Sequence, residues 1–264
     1  MDYAKAVLLA IVEGVTEFLP ISSTGHLILV EDYLRLGDPE FADAFMVIIQ
    51  FPAILSVLLY FWKELWPFQR GKDWREPVGL WVKTAVAFLP AMVLGALYAY
   101  YDVEELLFNP LVVACALIAG GVVLIAIERR PHRNRFPTVH ELTCNSAFLI
   151  GVFQCLAMIP GTSRSAATIM GALLLGASRS AAAEFSFFLA IPTMAGATVL
   201  TLAKSDLSYT AHQWILLVVG CVGSFLVAYG VIAFLMHFIR RHSFIPFGVY
   251  RILLGALVLA MLLW

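Results

Sequence analysis

The stretch Glu13-Gly-Val-Thr-Glu17-Phe-Leu-Pro20-Ile-Ser-Ser-Thr-Gly-His26 interrupts an apolar run that covers 3–35. A second apolar run, 145–176, is interrupted by Pro160-Gly-Thr-Ser-Arg-Ser165. Each run reads as two half-helices around a polar elbow, and we name 20–25 the first elbow and 160–165 the second elbow. Non-helical backbone inside a bilayer is tolerated only where protein buries it or where it lines a water-filled cavity. The two runs therefore predict two re-entrant helical hairpins whose tips face a site.

The composition places the chain in a membrane. Of 264 residues, 61% are hydrophobic and 13% are charged, and the mean hydropathy is +0.89. A soluble domain carries roughly 25% charged residues, so a water-soluble enzyme is excluded. A net charge of −1 without a basic face also excludes a nucleic-acid binder.

Six further runs reach the roughly 20 residues that a spanning helix needs. They cover 41–62, 79–101, 109–128, 181–203, 213–237 and 245–264. The predicted fold is an all-α integral membrane protein with six full transmembrane helices plus two re-entrant helical hairpins. It forms a single membrane domain over 1–264.

The two broken runs repeat one another at a shift of 140 residues, since Pro20 is matched by Pro160 and Ser23 by Ser163. In so apolar a sequence some matches arise by coincidence, but each broken run is followed by three long spans. We therefore predict a duplication with halves at roughly 1–130 and 141–264. One hairpin plus three spans crosses the membrane an odd number of times, so the second half is inverted relative to the first.

The basic residues are distributed unequally between the two sides. If the loop at 63–78 is cytoplasmic, the inner side holds Lys63, Arg70, Lys72, Arg75, Lys83, Arg129, Arg130, Arg133, Arg135, Arg179, Arg240 and Arg241. The outer side then holds only the basic residues Lys5, Arg35 and Lys204, with the acidic residues Asp38, Glu40, Asp102, Glu104, Glu105 and Asp206. Because cytoplasmic loops carry an excess of Lys and Arg, both termini are predicted to face outward.

The acidic pair of the first motif points to a cation site. Glu13 and Glu17 are four residues apart, so they lie one above the other on one helical face. Ionised carboxylates at membrane depth cost several kcal/mol, so they require a cation, a proton or a water-filled cavity. Two oxygen ligands held together suit a hard divalent cation such as Mg²⁺. The alternative is that both carboxylates simply lie at a wet helix end.

The first elbow also carries three hydroxyl residues and a histidine. Ser22, Ser23 and Thr24 stand at a predicted helix start, where one hydroxyl is enough to cap the helix. His26 follows Ser23 by three residues and therefore shares its face. A hydroxyl with an imidazole forms a nucleophile and base pair, and a histidine alone can act as general acid or base. The alternative is that His26 is a buried structural residue whose ring nitrogens are hydrogen-bonded.

The second elbow has the composition of a phosphate-binding loop. Gly161 permits close backbone approach, and the hydroxyl residues Thr162, Ser163 and Ser165 stand at a predicted helix N-terminus, which favours anions. Arg164 offers a planar guanidinium that matches phosphate oxygens. A structural ion pair of Arg164 with Glu13 or Glu17 is the alternative. Arg251, by contrast, is predicted to extend to the inner membrane interface.

These two motifs together closely resemble those of the bacterial undecaprenyl-diphosphatase family, also called the bacitracin-resistance family. The likeness runs along the whole chain and includes Glu184-Phe-Ser-Phe, Ser243-Phe-Ile-Pro-Phe and Tyr250-Arg251. The resemblance implies a hydrolase of the bacterial inner (cytoplasmic) membrane that converts undecaprenyl diphosphate to undecaprenyl phosphate and inorganic phosphate. It also implies recycling of the lipid carrier for cell-wall synthesis, and resistance to bacitracin.

The resemblance implies roles for individual residues. Glu17, Ser23, His26 and Arg164 match catalytic positions, and Glu13 and Glu17 match the ligands of a divalent cation, Mg²⁺ or Ca²⁺. Substrate-binding roles are expected for Ser22, Thr24, Gly161, Thr162, Ser163 and Ser165. The nucleophile stays open between Ser23, His26 and a water activated by Glu17.

The expected partners are the undecaprenyl diphosphate substrate and membrane lipids, with no nucleic acid. The acidic outer loops predict a site that opens to the outer face. A homodimer is also possible. Because inverted repeats also build transporters, the alternative function is a lipid-phosphate flippase or an ion-coupled transporter.

Overall fold

The computed structural model describes residues 2–34, 36–68, 73–101, 107, 109–131, 134–204 and 209–263. Within these ranges nearly all regular structure is helical. The α-helices are α1 (Asp2–Thr16), α2 (Ser23–Leu34), α3 (Pro39–Tyr60), α4 (Trp62–Leu65), α5 (Arg75–Tyr100), α6 (Pro110–Glu128), α7 (Cys144–Gln154), α8 (Arg164–Leu174), α9 (Arg179–Lys204), α10 (Ala211–Ile239) and α11 (Ile245–Leu262). Two 3-10 turns are η1 (Val139–Glu141) and η2 (Cys155–Met158).

Six of these helices, α3, α5, α6, α9, α10 and α11, are long and apolar enough to cross a membrane. The prediction of six spans is therefore confirmed, with boundaries a few residues from those expected. The residues used for the charge distribution that lie outside the described ranges are Arg35, Arg70, Lys72, Asp102, Glu104, Glu105, Arg133 and Asp206.

The two broken runs form pairs of short helices, as the interruptions predict. α1 and α2 have 15 and 12 residues, and α7 and α8 have 11 each. A spanning helix needs about 20 residues, so none of the four has the length to cross a bilayer alone. Each pair is separated by one of the elbows.

Local sequence signals set several helix starts. Proline stands in the first turn of α3, α6 and α11, where its missing N–H costs no hydrogen bond. Asp38 and Asn109 accept hydrogen bonds from the backbone N–H groups of Phe41 and Leu111. Thr210 forms a capping box with Gln213 at the start of α10.

Small residues allow the long helices to approach closely. α6 packs against α11, and α10 packs against both α1 and α3. Between α6 and α11, a Cβ atom on Gly121 would lie 2.6 Å from the carbonyl oxygen of Gly248. Helix pairs in membranes use such positions because van der Waals contact, and not the hydrophobic effect, holds them together.

The outer surface of the long helices is apolar. Val199, Leu200, Val218 and Leu226 are each at least 60% exposed, and water would disfavour so many exposed aliphatic side chains. The interior instead holds polar groups, including Glu13 and Arg251, which are fully buried. This distribution is that of a membrane protein with a polar site inside.

Candidate active site

The two elbows meet around a small polar cavity of about 130 Å³. Its walls are formed by Thr16, Glu17, Ser22, Ser23, Thr24, Ala157, Pro160, Gly161, Ser163 and Arg164. The Ser165 hydroxyl of the second elbow also donates to the carbonyl oxygen of Leu19, beside the first elbow, at 2.9 Å. Two motifs far apart in sequence therefore build one site.

Glu17 is hydrogen-bonded to both a guanidinium and a serine hydroxyl of this cavity. Its Oε1 accepts a hydrogen bond from Nη2 of Arg164 at 3.1 Å, and its Oε2 accepts one from the hydroxyl of Ser23 at 3.2 Å. The Glu17 and Arg164 side chains are only about a tenth exposed. The ion pair considered as an alternative is therefore present, and it lies in the wall of the cavity, where a phosphate could contact the same guanidinium.

A backbone carbonyl group and an aromatic ring also hold Arg164 in place. Its Nη1 donates to the carbonyl oxygen of Ser186 at 2.9 Å, and its guanidinium lies 6.0 Å from the ring centroid of Phe18. The Thr168 hydroxyl donates to Ser186 Oγ at 2.7 Å. Ser186 belongs to the segment Glu184-Phe-Ser-Phe, but the sequence predicts no site role for it or for Thr168, because hydroxyls in apolar helices usually bond their own backbone.

Glu13 is the buried member of the acidic pair. The backbone N–H of Glu17 donates to the carbonyl oxygen of Glu13 at 3.0 Å, so the two residues are one helical turn apart, as their spacing predicts. Within the described ranges, neither carboxylate oxygen of Glu13 has a hydrogen-bond partner in the structure, and the residue is 0% exposed. A buried carboxylate without a donor needs a proton or a cation.

The carboxylates fit the expected divalent cation. The described residues contain no group of three or more His, Cys, Asp or Glu side chains placed to hold a metal. Mg²⁺ is commonly bound through one or two carboxylates together with substrate phosphates. The orphaned oxygens of Glu13 beside Glu17 match that mode of binding, in which the substrate supplies the remaining ligands.

The second elbow depends on backbone conformations that few residues adopt. Gly161 has a φ of 88°, and a Cβ atom there would lie 2.5 Å from the carbonyl oxygen of Val113. Ser163 has a φ of 70°, and its Oγ accepts from the N–H of Ala166 at 3.3 Å, which caps α8. Ser163 and Arg164, the cap and the first residue of α8, line the polar cavity, so the start of this helix lies beside it, as an anion site requires.

His26 is turned away from Ser23. Its Nδ1 is 2.7 Å from the carbonyl oxygen of Ser22, so this nitrogen must carry the proton, and its Nε2 is 2.7 Å from the hydroxyl of Tyr250. The His26 and Tyr250 rings are also stacked, with centroids 5.5 Å apart. The structure does not form the Ser23–His26 pair that the spacing favours, because Ser23 donates to Glu17 instead.

Arg251 connects the two elbows, and the prediction that it extends to the membrane interface is wrong. The side chain is 0% exposed. Its Nη2 donates to the carbonyl oxygens of Ala116 and Gly161 at 3.2 and 3.1 Å, and its Nη1 lies 3.5 Å from that of Pro20. A Cβ atom on Gly120 would overlap the guanidinium, so this glycine provides its space. In the sequence, Gly120 on the facing helix is the feature that could have indicated space for a buried Arg251.

Nearly the whole chain matches a known protein family. Residues 6–257 match the family model of bacitracin resistance protein BacA. The chain belongs to the BacA family.

Named relatives cover nearly the whole chain. It is 52% identical to the undecaprenyl-diphosphatase of Fusobacterium nucleatum subsp. nucleatum, over 97% of this chain and 99% of that protein. It is 48% identical to undecaprenyl-diphosphatase 1 of Clostridioides difficile, over 98% and 96%. With the undecaprenyl-diphosphatase of Enterococcus faecalis the identity is 46%, over 98% and 96%.

The remaining residues predicted for this BacA-family site divide into two groups. Ser22 and Thr24 line the polar cavity with Ser23. Thr162 lines a separate apolar groove on α6, and Ser165 is fully buried, with its hydroxyl bonded to Leu19. The geometry thus gives Ser165 a role in joining the elbows.

Proposed function

We propose that this chain is a membrane phosphatase that hydrolyses undecaprenyl diphosphate to undecaprenyl phosphate and inorganic phosphate. The observation that carries the proposal is the polar cavity in which Glu17 holds both Ser23 and Arg164. Membership of the BacA family and the names of its relatives support the same reaction. Such a reaction recycles a lipid carrier for cell-wall synthesis and would confer resistance to bacitracin. The flippase and transporter alternative gains no support from these names.

In the proposed reaction, Arg164 and the start of α8 bind the terminal phosphate. Ser23 Oγ attacks its phosphorus as Glu17 takes the hydroxyl proton, since the two groups are already hydrogen-bonded. The bond to the bridging oxygen breaks, and undecaprenyl phosphate leaves. Water then attacks the phosphorus of the phosphoserine, the bond to Ser23 Oγ breaks, and Glu17 returns its proton to that oxygen. Both protons of the water leave with the inorganic phosphate. Undecaprenyl phosphate is a good leaving group in the first step, so this route needs no acid from His26.

Glu13 and Glu17 are the residues that would hold the divalent cation. When bound, the cation would neutralise negative charge on the diphosphate. The orphaned oxygens of Glu13 support this assignment. The bulk of the stabilisation from the chain itself comes from positioning and charge, as in other phosphoryl transfers.

The first test is phosphate release from undecaprenyl diphosphate by purified protein in detergent. Release is expected with Mg²⁺, and removal of the cation by a chelator should lower the rate at least about tenfold. Ca²⁺ is tested beside Mg²⁺ to establish preference. Glu13→Gln keeps the shape of the side chain and should raise the Mg²⁺ concentration needed for half-maximal rate.

The results that would contradict the proposed function differ from those that would contradict only the cation site. Folded wild-type protein that releases no phosphate in any cation would overturn the proposed function, and lipid flux in vesicles would be measured next. Full activity in chelator would overturn only the cation site at Glu13 and Glu17.

A second test concerns Arg251, the buried side chain that connects the two elbows. Arg251→Met removes the hydrogen bonds that the guanidinium donates to the carbonyl oxygens of Pro20, Ala116 and Gly161, which loosens the cavity. We expect kcat to fall about tenfold, because small misplacements slow a positioned reaction. Gly120→Ala keeps the guanidinium but displaces it, so it should change kcat in the same direction.

Activity and stability must be measured together in these variants. The rate is recorded well below the Tm of each protein, and KM is determined separately from kcat. If both variants lower Tm yet leave kcat unchanged, Arg251 only supports the fold and does not position the site.

We also propose that the two halves, 1–130 and 141–264, form an inverted-topology repeat with two re-entrant hairpins. The packing supports it, because corresponding pairs recur: α1 against α10 and α7 against α5, α3 against α10 and α9 against α5, and α2 against α11 and α8 against α6. Both elbows also contain a serine with positive φ directly before the second short helix.

The orientation follows from this proposal and from the distribution of charge. The protein lies in the bacterial inner membrane with both termini outside, and the polar cavity opens to the outer face. Such an opening suits a lipid carrier that is released there after glycan transfer.

A further inference from the structure

An apolar groove of about 500 Å³ runs along α1 and α11 to the first elbow. Its walls are formed by Ile11, Val12, Val15, Thr16, Leu19, Ile21, His26, Pro246, Phe247 and Tyr250. We call it the α1–α11 groove. Nearly all of its accessible lining is apolar, so the groove suits a hydrocarbon chain.

This groove adjoins the polar cavity at Thr16, which lines both. The Thr16 hydroxyl donates to the carbonyl oxygen of Val12 at 2.7 Å, so it is already hydrogen-bonded. His26 and Tyr250 also line the groove, and their hydrogen bond satisfies His26 Nε2 and the phenol. These polar groups of the lining are therefore paired, and the two rings present their apolar surfaces.

A second apolar groove of similar size provides a comparison. It has about 560 Å³ and lies against α6 and η2, with Cys115, Ala119 and Thr162 among its lining residues. Among the described residues it shares no lining residue with the polar cavity. Of the two grooves, the α1–α11 groove is therefore the one whose lining is continuous with that of the polar cavity, through Thr16.

We propose that the α1–α11 groove binds the isoprene units of the substrate that lie next to its diphosphate. This inference rests on the proposed function and extends it, because it gives the polyprenyl chain its own site and gives His26 and Tyr250 a place beside that chain. The rest of the chain extends into the surrounding lipid. A phospholipid acyl chain is the competing occupant, but it has no diphosphate to fix it at the polar cavity.

Thiol protection tests the occupant directly. Ile11 is 41% exposed and lines the groove, so Ile11→Cys should be tolerated and accessible. The native Cys115 is exposed in the second groove and serves as the internal control. Both thiols are alkylated in phosphatidylcholine vesicles, and the rate at each position is read by mass spectrometry.

Undecaprenyl phosphate, the product, is the probe because it is not consumed. It should slow alkylation of Ile11→Cys about tenfold and leave the rate at Cys115 unchanged, while added phosphatidylglycerol should do neither. Equal protection at both positions, no protection at Ile11→Cys, or equal protection by phosphatidylglycerol would overturn the proposal.

Kinetics give an independent test. Ile11→Trp narrows the groove, and we expect KM for undecaprenyl diphosphate to rise about tenfold with kcat preserved, equivalent to about 1.4 kcal/mol of binding. Ala119→Trp narrows the second groove and should change neither constant. If wild-type protein releases phosphate and Ile11→Trp has an unchanged KM, the groove proposal fails while the phosphatase stands. If the wild type is inactive, the thiol experiment still decides the groove.

Discussion

Arg164→Lys is expected to lower phosphate release from undecaprenyl diphosphate about 10²- to 10³-fold, the loss typical of removing a key charge-stabilising donor. The guanidinium already uses one side for Glu17 and the carbonyl oxygen of Ser186, at 3.1 and 2.9 Å. A lysine ammonium keeps the charge, but it cannot bond Glu17, Ser186 and a phosphate in one plane. The loss should therefore appear although the net charge is unchanged.

A matched control and a double variant separate this effect from a loss of folding. Arg179 is also paired with a carboxylate, Glu128, at 2.7 Å, but it lies outside the polar cavity. Arg179→Lys should retain most of the activity. Glu17→Gln combined with Arg164→Lys should cost much less than the product of the single losses, because the two residues act as a unit. Full additivity, or an active Arg164→Lys, would contradict the proposed role.

The sequence was sufficient to predict the parts that depend on local patterns. Six apolar runs predicted six long helices, and these are confirmed because length and hydropathy are local properties. The spacing of Glu13 and Glu17 correctly placed both carboxylates on one helical face, since a single helix turn relates them. The two elbows were recognised for the same reason.

Contacts between distant segments were less predictable. The hydroxyl of Ser23 could bond either His26, which shares its helix, or Glu17, across the elbow. The φ of 72° at Ser22 is the kind of backbone feature that spacing arguments do not include. Arg251 was misassigned because its partners are carbonyl oxygens from three separate segments, and a carbonyl leaves no mark in a sequence.

The identity of the nucleophile gives the largest expected effect. If Ser23 forms the phosphoenzyme, Ser23→Ala should reduce phosphate release at least about a thousandfold, as removal of a nucleophile does in other hydrolases. The geometry favours Ser23 because its hydroxyl donates to Glu17 Oε2 at 3.2 Å, which places a base on the proton that must leave. Thr24→Val is the comparison variant, since Thr24 supplies another hydroxyl to the same cavity. Loss of this substrate-binding hydroxyl should lower the rate far less than loss of the nucleophile.

Chemical trapping distinguishes a nucleophile from a hydroxyl that only positions water. Acid quenching during turnover should leave phosphate on the peptide that contains Ser23, and Glu17→Gln should lower the rate at which this label forms, because the proton then lacks an acceptor. Full activity in Ser23→Ala would assign the attack to a water held by Glu17. That outcome would leave the phosphatase in place and would still require the Glu17–Arg164 pair, because either nucleophile needs the terminal phosphate fixed beside the same carboxylate.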